Sequence, residues 1–192
     1  MPQKRKAGSA GQLRIIGGQW RGRKLPIANV DGLRPTGDRV RETLFNWLMG
    51  DINGSHCLDL FAGSGALGLE SLSRGAKRLT MLEKNTVAAR QLAEHCQHLN
   101  AQNTQIIQED ALQWLEHQHQ EKHAFDIVFI DPPFADNLWE QTLSRLINSE
   151  LLAPKAIIYI EKPKGKVFTT PPNWQLHREK QTGNTHYSLY YS

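Results

Sequence analysis

At 192 residues the chain has room for one domain with an appendage and for a core of ordinary size. Hydrophobic residues make up 39%, and no apolar run nears the roughly 20 residues of a membrane helix. The basic start Met1-Pro2-Gln3-Lys4-Arg5-Lys6 lacks the apolar stretch of a secretory leader. A cytoplasmic protein without membrane attachment is therefore expected. Cys57 and Cys96 have neither metal spacing nor a disulfide framework and read as buried thiols.

Charge is divided unevenly. Residues 1–41 hold ten Lys and Arg (Lys4, Arg5, Lys6, Arg14, Arg21, Arg23, Lys24, Arg34, Arg39, Arg41) against Asp31 and Asp38, whereas the remainder is acidic by four charges. A basic arm on an acidic body suits a phosphate-rich partner. Residues 1–10 read as a disordered basic tail, 11–50 as an arm and helix, and 51–192 as the main domain.

In chain order, Leu13–Ile16 reads as a short strand, Gly17-Gly18 as a turn and Trp20–Leu25 as the returning strand. Pro26 and Gly32 mark a loop. Thr36 or Asp38 would cap a helix that carries Val40, Leu44, Trp47 and Leu48 on one face and ends near Gly50. From Ser55 strands and helices alternate. The strands are His56–Phe61, Arg78–Glu83, Thr104–Gln108, Phe125–Asp131 and Ala156–Glu161. The helices are Ala66–Ser73, Thr86–Asn100, Ala111–Gln118 and Leu138–Asn148. Such alternation predicts a doubly wound α/β fold with a mostly parallel sheet. Trp174–Lys180 and His186–Tyr191, separated by 181–185, close it with an antiparallel hairpin and make seven strands.

Two segments carry chemistry. Asp59-Leu60-Phe61-Ala62-Gly63-Ser64-Gly65-Ala66-Leu67-Gly68 has the G-x-G-x-x-G spacing between a strand and a helix, where backbone amides can face a nucleotide. Glu83 ends the next strand, 20 positions past Gly63, and can accept both ribose hydroxyls; Asp110 is placed for an adenine amino group. These features fit a dinucleotide or S-adenosylmethionine. Asp59, where a dinucleotide site prefers an apolar residue, favours S-adenosylmethionine, whose ammonium it could meet, and Asp59-x-Phe61 before the glycines resembles the first motif of methyltransferases. The second segment, Asp131-Pro132-Pro133-Phe134, closes the apolar run Ile127–Ile130. Asp131 and the Pro132 carbonyl can accept the two N–H groups of a nucleobase amine, the prolines remove competing donors, and Phe134 can stack on an extruded base. The pairing of loop and clamp suggests methyl transfer to a nucleobase nitrogen.

Asp-Pro-Pro-Phe resembles the catalytic motif of amino-methyltransferases acting on adenine N6, cytosine N4 or guanine N2. Further strings narrow the resemblance: Arg14-Ile15-Ile16-Gly17-Gly18, Arg21-Gly22-Arg23, Arg34-Pro35-Thr36 and Val40-Arg41-Glu42-Thr43-Leu44-Phe45-Asn46. With the glycine loop they resemble the bacterial 16S ribosomal RNA guanine-N2 methyltransferase family, from about residue 12 to the C-terminal hairpin. The resemblance implies a class I, Rossmann-like methyltransferase. Asp59, Phe61, Gly63, Gly65, Gly68, Glu83 and Asp110 would hold S-adenosylmethionine, and Asp131–Phe134 would carry the reaction. Arg14, Arg21, Arg23, Lys24, Arg34, Arg39 and Arg41 would grip ribosomal RNA of the small subunit and help cover the cofactor. Phe134 stands where many relatives of the wider class have Tyr.

A monomer is expected, with no metal. His95, His98, His117, His119 and His123 lie in polar, Gln-rich stretches and read as solvated surface. Trp114 and Trp139 read as core, and Trp20 as a hairpin-packing or RNA-stacking ring. A DNA adenine-N6 methyltransferase is the rival enzyme, but the 68 positions from Gly63 to Asp131 leave no room for a recognition insert. A silent RNA-binding assembly protein is the rival from another class, and intact Asp131 and Glu83 speak against it. An NAD-dependent oxidoreductase lacks a proton-transfer residue.

Overall fold

The computed structural model describes residues 11–27, 30, 36–117 and 124–192. The expected N-terminal tail, Arg34, His119 and His123 lie outside the described residues.

The arm is a two-stranded antiparallel ribbon, β1 (Gln12–Arg14) and β2 (Lys24–Pro26), with Leu13 opposite Leu25. Between them, Gly18–Trp20 form a 3-10 turn rather than strand, so the returning strand begins at Lys24 and not at Trp20. The reason is docking: the Trp20 N–H donates to the Ser73 hydroxyl (3.0 Å), which itself donates to the Gly17 carbonyl. Gly18 has φ +74°, and a Cβ there would sit 1.7 Å from the Ser73 carbonyl oxygen, so only glycine fits. Trp20 is half-buried and packs against the core.

Helix α1 (Asp38–Trp47) is capped by Gly37 and not by Thr36 or Asp38, whose side chains are engaged elsewhere. The main body then alternates: β3 (His56–Asp59), α2 (Ala66–Ser73), β4 (Arg78–Leu82), α3 (Thr86–Leu99), β5 (Thr104–Ile107), α4 (Ala111–His117), β6 (Phe125–Ile130) and α5 (Trp139–Asn148). Three strands complete it: β7 (Leu152–Pro163), β8 (Gln175–Thr182) and β9 (Thr185–Tyr191). Strand β7 runs longer than the apolar stretch Ala156–Glu161 predicts. It begins before an irregularity in its pairing with β6, where Lys155 has φ +64°.

The sheet order is β5-β4-β3-β6-β7-β9-β8, parallel through β7 and antiparallel in the last two strands. The β8–β9 turn is only Gly183-Asn184, tighter than the five residues expected, because Thr182 and Thr185 already pair. Period-two alternation sends Ile127 and Phe129 to one face and Val128 and Ile130 to the other. The first face is covered by the arm, α1, α2 and α3 as one continuous core; the second by α4 and α5, with Trp114 and Trp139 buried as expected. Cys57 and Cys96 are buried free thiols.

One buried carboxylate fastens the arm to the sheet. Glu70 of α2 is 0% exposed. It accepts hydrogen bonds from the backbone N–H groups of Ile16 and Gly17 (both 2.8 Å) and pairs with Arg74 (2.7 Å) and Arg41 (3.4 Å).

Candidate active site

The strand order reverses between β3 and β6, and a crevice outside the carboxyl ends of the strands at such a switch point is where open α/β sheets bind ligands. Asp59 ends β3, Glu83 follows β4, Asp110 follows β5 and Asp131 follows β6. Four carboxylates from distant parts of the chain therefore share one edge. A cavity of about 320 Å³ opens near the amino ends of β3 and β6, lined by Asp51, Asn53, Ser55, Asp126 and Lys155. It carries none of the expected site residues and lies at the wrong end of the sheet for this chemistry.

Asp59 is 1% exposed. Its Oδ2 accepts the Gly68 N–H (3.0 Å), while Oδ1 has no hydrogen-bond partner. Burial pushes its carboxyl up to about 7, against the stabilising Gly68 amide. The Phe61 backbone amide also acts on this carboxylate, yet Oδ1 completes no hydrogen bond, which costs free energy, and a ligand cation would relieve it. Glu83 accepts the Gly63 N–H (2.9 Å) and the Asn85 N–H (2.7 Å), one on each oxygen, which ties the end of β4 to the glycine loop. Each carboxylate oxygen keeps a second lone-pair direction for a hydroxyl. Gly65 caps α2 in the left-handed region (φ +80°), and a Cβ there would meet Leu92 at 2.7 Å. Asp110 spends Oδ1 on the Leu112 and Gln113 amides, capping α4. Phe61 is half-buried against the α4–α5 core.

The Asp131 carboxyl is pushed up to about 6 by burial, while a hydrogen bond from the Thr36 hydroxyl (2.8 Å) works the other way. Pro132 is buried and Pro133 exposed, and the Pro133 carbonyl accepts the Asp136 N–H (3.1 Å) to close the turn. Phe134 is 39% exposed, its ring 5.9 Å from that of Trp139. The Trp139 indole donates to the Glu161 carbonyl (2.8 Å).

Arg41 corrects an expectation: it is 1% exposed and cannot reach RNA. Its guanidinium bonds the carbonyls of Thr36 (3.2 Å) and Arg14 (2.9 Å) and the carboxylates of Asp38 (2.6 Å) and Glu70 (3.4 Å), a buried cation holding the arm together. Arg14, Arg21, Arg23, Lys24 and Arg39 are exposed, and Arg14 pairs with Asp38 (2.9 Å). His95 is a second correction, since it is buried at 3% exposure. His117 is exposed, its Nδ1 2.8 Å from the Gln113 carbonyl. Among the described residues no three His, Cys, Asp or Glu side chains are grouped to hold a metal.

Sequence reasoning missed two features. Glu161, in β7 beside Asp131, accepts the Tyr159 hydroxyl (2.9 Å) and is pushed up to about 8 by burial and then by Asp131. Its place directly after Ile157–Ile160, at a strand end, was the available signal. Lys162 near the end of β7 and Lys164 and Lys166 just after it make a basic stretch, with Lys166 Nζ 5.8 Å from the Trp139 ring centre and Lys162 Nζ 4.7 Å from that of Phe168. Their alternation is legible in the sequence but vanishes when the acidic body is counted as one charge.

The fold and this edge define a class I, Rossmann-like methyltransferase. The chain belongs to the family of ribosomal RNA small subunit methyltransferase D. Residues 13–191 match a family model described as "Conserved hypothetical protein 95". The chain is 52% identical to ribosomal RNA small subunit methyltransferase D of Haemophilus influenzae over 94% of each chain. It is 49% identical to the Escherichia coli K12 protein of that name, over 94% of this chain and 90% of the other. A solved Escherichia coli structure, assigned as a methyltransferase, superposes with a TM-score of 0.86 at 47% identity, covering 94% of this chain and 98% of that one. A Haemophilus influenzae structure assigned as a methylase gives 0.83 at 48% identity, with the same coverage. Family membership implies S-adenosylmethionine as cofactor. The residues present fit it: unpartnered Asp59 Oδ1 for the ammonium, Glu83 for the ribose and the Gly63–Gly65 backbone for the close approach.

Proposed function

We propose that this protein methylates the exocyclic N2 of a guanine in small-subunit ribosomal RNA, with S-adenosylmethionine as donor. The observation that carries the reading is Asp131: a carboxylate at the switch point, beside Asp59, followed by a buried proline, an exposed proline and a partly exposed phenyl ring. The names of the relatives support ribosomal RNA as the polymer.

A guanine amine is a poor nucleophile because its lone pair is delocalised into the ring. The bound cofactor supplies a methyl group activated by a positive sulfur. Asp131 would accept an amine N–H, turn the nitrogen lone pair toward the methyl and take up the proton that the nitrogen loses as its new bond to carbon forms and the carbon–sulfur bond breaks, its electron pair leaving with a neutral thioether sulfur. Phe134, backed by Trp139, offers a face for the extruded base. Asp59 and Glu83 orient the cofactor. The rate gain is positional and electrostatic, with no covalent enzyme intermediate.

The test is transfer of labelled methyl to small subunits lacking their own modification, followed by nucleoside mass spectrometry. N2-methylguanosine is expected. N6-methyladenine from DNA with RNA inert would replace the substrate, and no transfer to either would remove the enzyme reading.

A further inference from the structure

Thr36 lies 95 positions before Asp131, yet its hydroxyl donates to Asp131 Oδ2 at 2.8 Å. It is 8% exposed, so water competes poorly for that bond. A threonine just before a helix would ordinarily spend its hydroxyl on the helix amides. Here α1 is capped by Gly37 without a side chain, and the hydroxyl turns to the sheet edge instead. The backbone of Thr36 is held independently, since its carbonyl accepts from Arg41 Nε (3.2 Å) and the same guanidinium grips Arg14, Asp38 and Glu70.

We propose that Thr36 is a positioning residue for the methyl transfer, fixing the rotation of the Asp131 carboxylate so that Oδ2 is occupied and Oδ1 is left for the substrate amine. This inference rests on the function proposed above. The final torsion of an aspartate is broad and roughly two-fold. A hydrogen bond to one oxygen, from a hydroxyl that is itself buried, selects one orientation before substrate arrives. It also favours the ionised carboxylate, the form that can accept the proton. The other titratable groups acting on Asp131 are Asp59 from β3 and Tyr159 and Glu161 from β7, all acids, so none of them helps keep it charged. Because Arg41 and Glu70 set where Thr36 sits, docking of the arm is transmitted to the reacting group through one hydroxyl.

The experiment compares T36V, which keeps the shape without the hydroxyl, with T36S, which keeps the hydroxyl. The Asp131 carboxyl is titrated by carbon-13 NMR in the free protein, with its signal assigned through D131N. Methyl transfer to unmodified small subunits is followed from pH 6 to pH 9. In T36V the titration moves upward. Transfer at pH 6.5 falls roughly ten- to a hundredfold, as expected for loss of one hydrogen bond to a charged group, with a smaller loss at pH 8.5 and unchanged S-adenosylmethionine affinity. T36S restores both the titration and the rate. A T36V protein that titrates and turns over like wild type overturns the proposal. So does a T36S protein as impaired as T36V with a lowered unfolding midpoint, which would make the residue a packing element. Were wild type to methylate no substrate, the functional reading would fall, while the NMR titration would still decide whether Thr36 controls Asp131.

Discussion

Asp59 and Asp131 are both pushed upward by burial, yet their surroundings assign them different work. Asp59, at about 7, has one oxygen on the Gly68 amide and the other without a partner. Below pH 7 it is largely protonated and cannot pair with an ammonium, so S-adenosylmethionine affinity should fall up to about tenfold per pH unit below that point. Titration calorimetry in buffers of different ionisation enthalpy should show proton release on binding near pH 7, and D59N should abolish both effects. The sign for stability is the opposite: a carboxyl raised on folding favours the native state at low pH, and that contribution is lost as pH rises through about 7. The free protein should therefore lose thermal stability from pH 5.5 to 8 more steeply than D59N does. D131A should cut methyl transfer by roughly 10²–10³ while S-adenosylmethionine affinity holds, since Asp131 serves the amine; loss of cofactor binding in that variant would contradict the division of roles.

At the scale of elements, the arm is held by charge as much as by apolar packing. Glu70 accepts two backbone amides from the loop between β1 and β2 and pairs with Arg41 and Arg74. Removing one partner of a buried pair leaves an uncompensated charge and costs about 3–5 kcal/mol. E70A should lose about that much in urea unfolding, and because Arg41 holds Thr36, its methyl transfer should fall even where the protein remains folded. The alternating elements themselves were legible from periodicity, since apolar runs such as Ile127–Ile130 bounded by polar turns admit few other readings. Their ends were less so. Trp20 reads as a strand former by composition, but a hydrogen bond to Ser73, 53 positions away, puts it in a 3-10 turn. Thr36 and Asp38 read as caps by local rules, and distant partners took both side chains.

At the scale of the whole molecule, basic charge gathers on the arm and in the stretch from Lys162 to Lys166. Arg21, Arg23 and Lys24 on the arm are exposed, and of Lys162, Lys164 and Lys166 the last lies over the Trp139 ring that backs Phe134. If both groups meet phosphates, reversing the three lysines should weaken RNA binding and reduce its log–log salt slope by roughly 2, with S-adenosylmethionine affinity unchanged. An unaltered slope in a filter-binding titration would confine the RNA contact to the arm. The sequence by itself determined the α/β class, the glycine loop, the Asp131–Phe134 motif and the family, because these depend on residues close together in the chain and on short-range periodicity. Only the tertiary structure decided that Arg41 is a buried tether and not an RNA contact, that Glu161 lies beside Asp131, and that Thr36 reaches it. Those facts come from packing between elements tens of positions apart, where burial and a hydrogen bond, not local propensity, set what a side chain does.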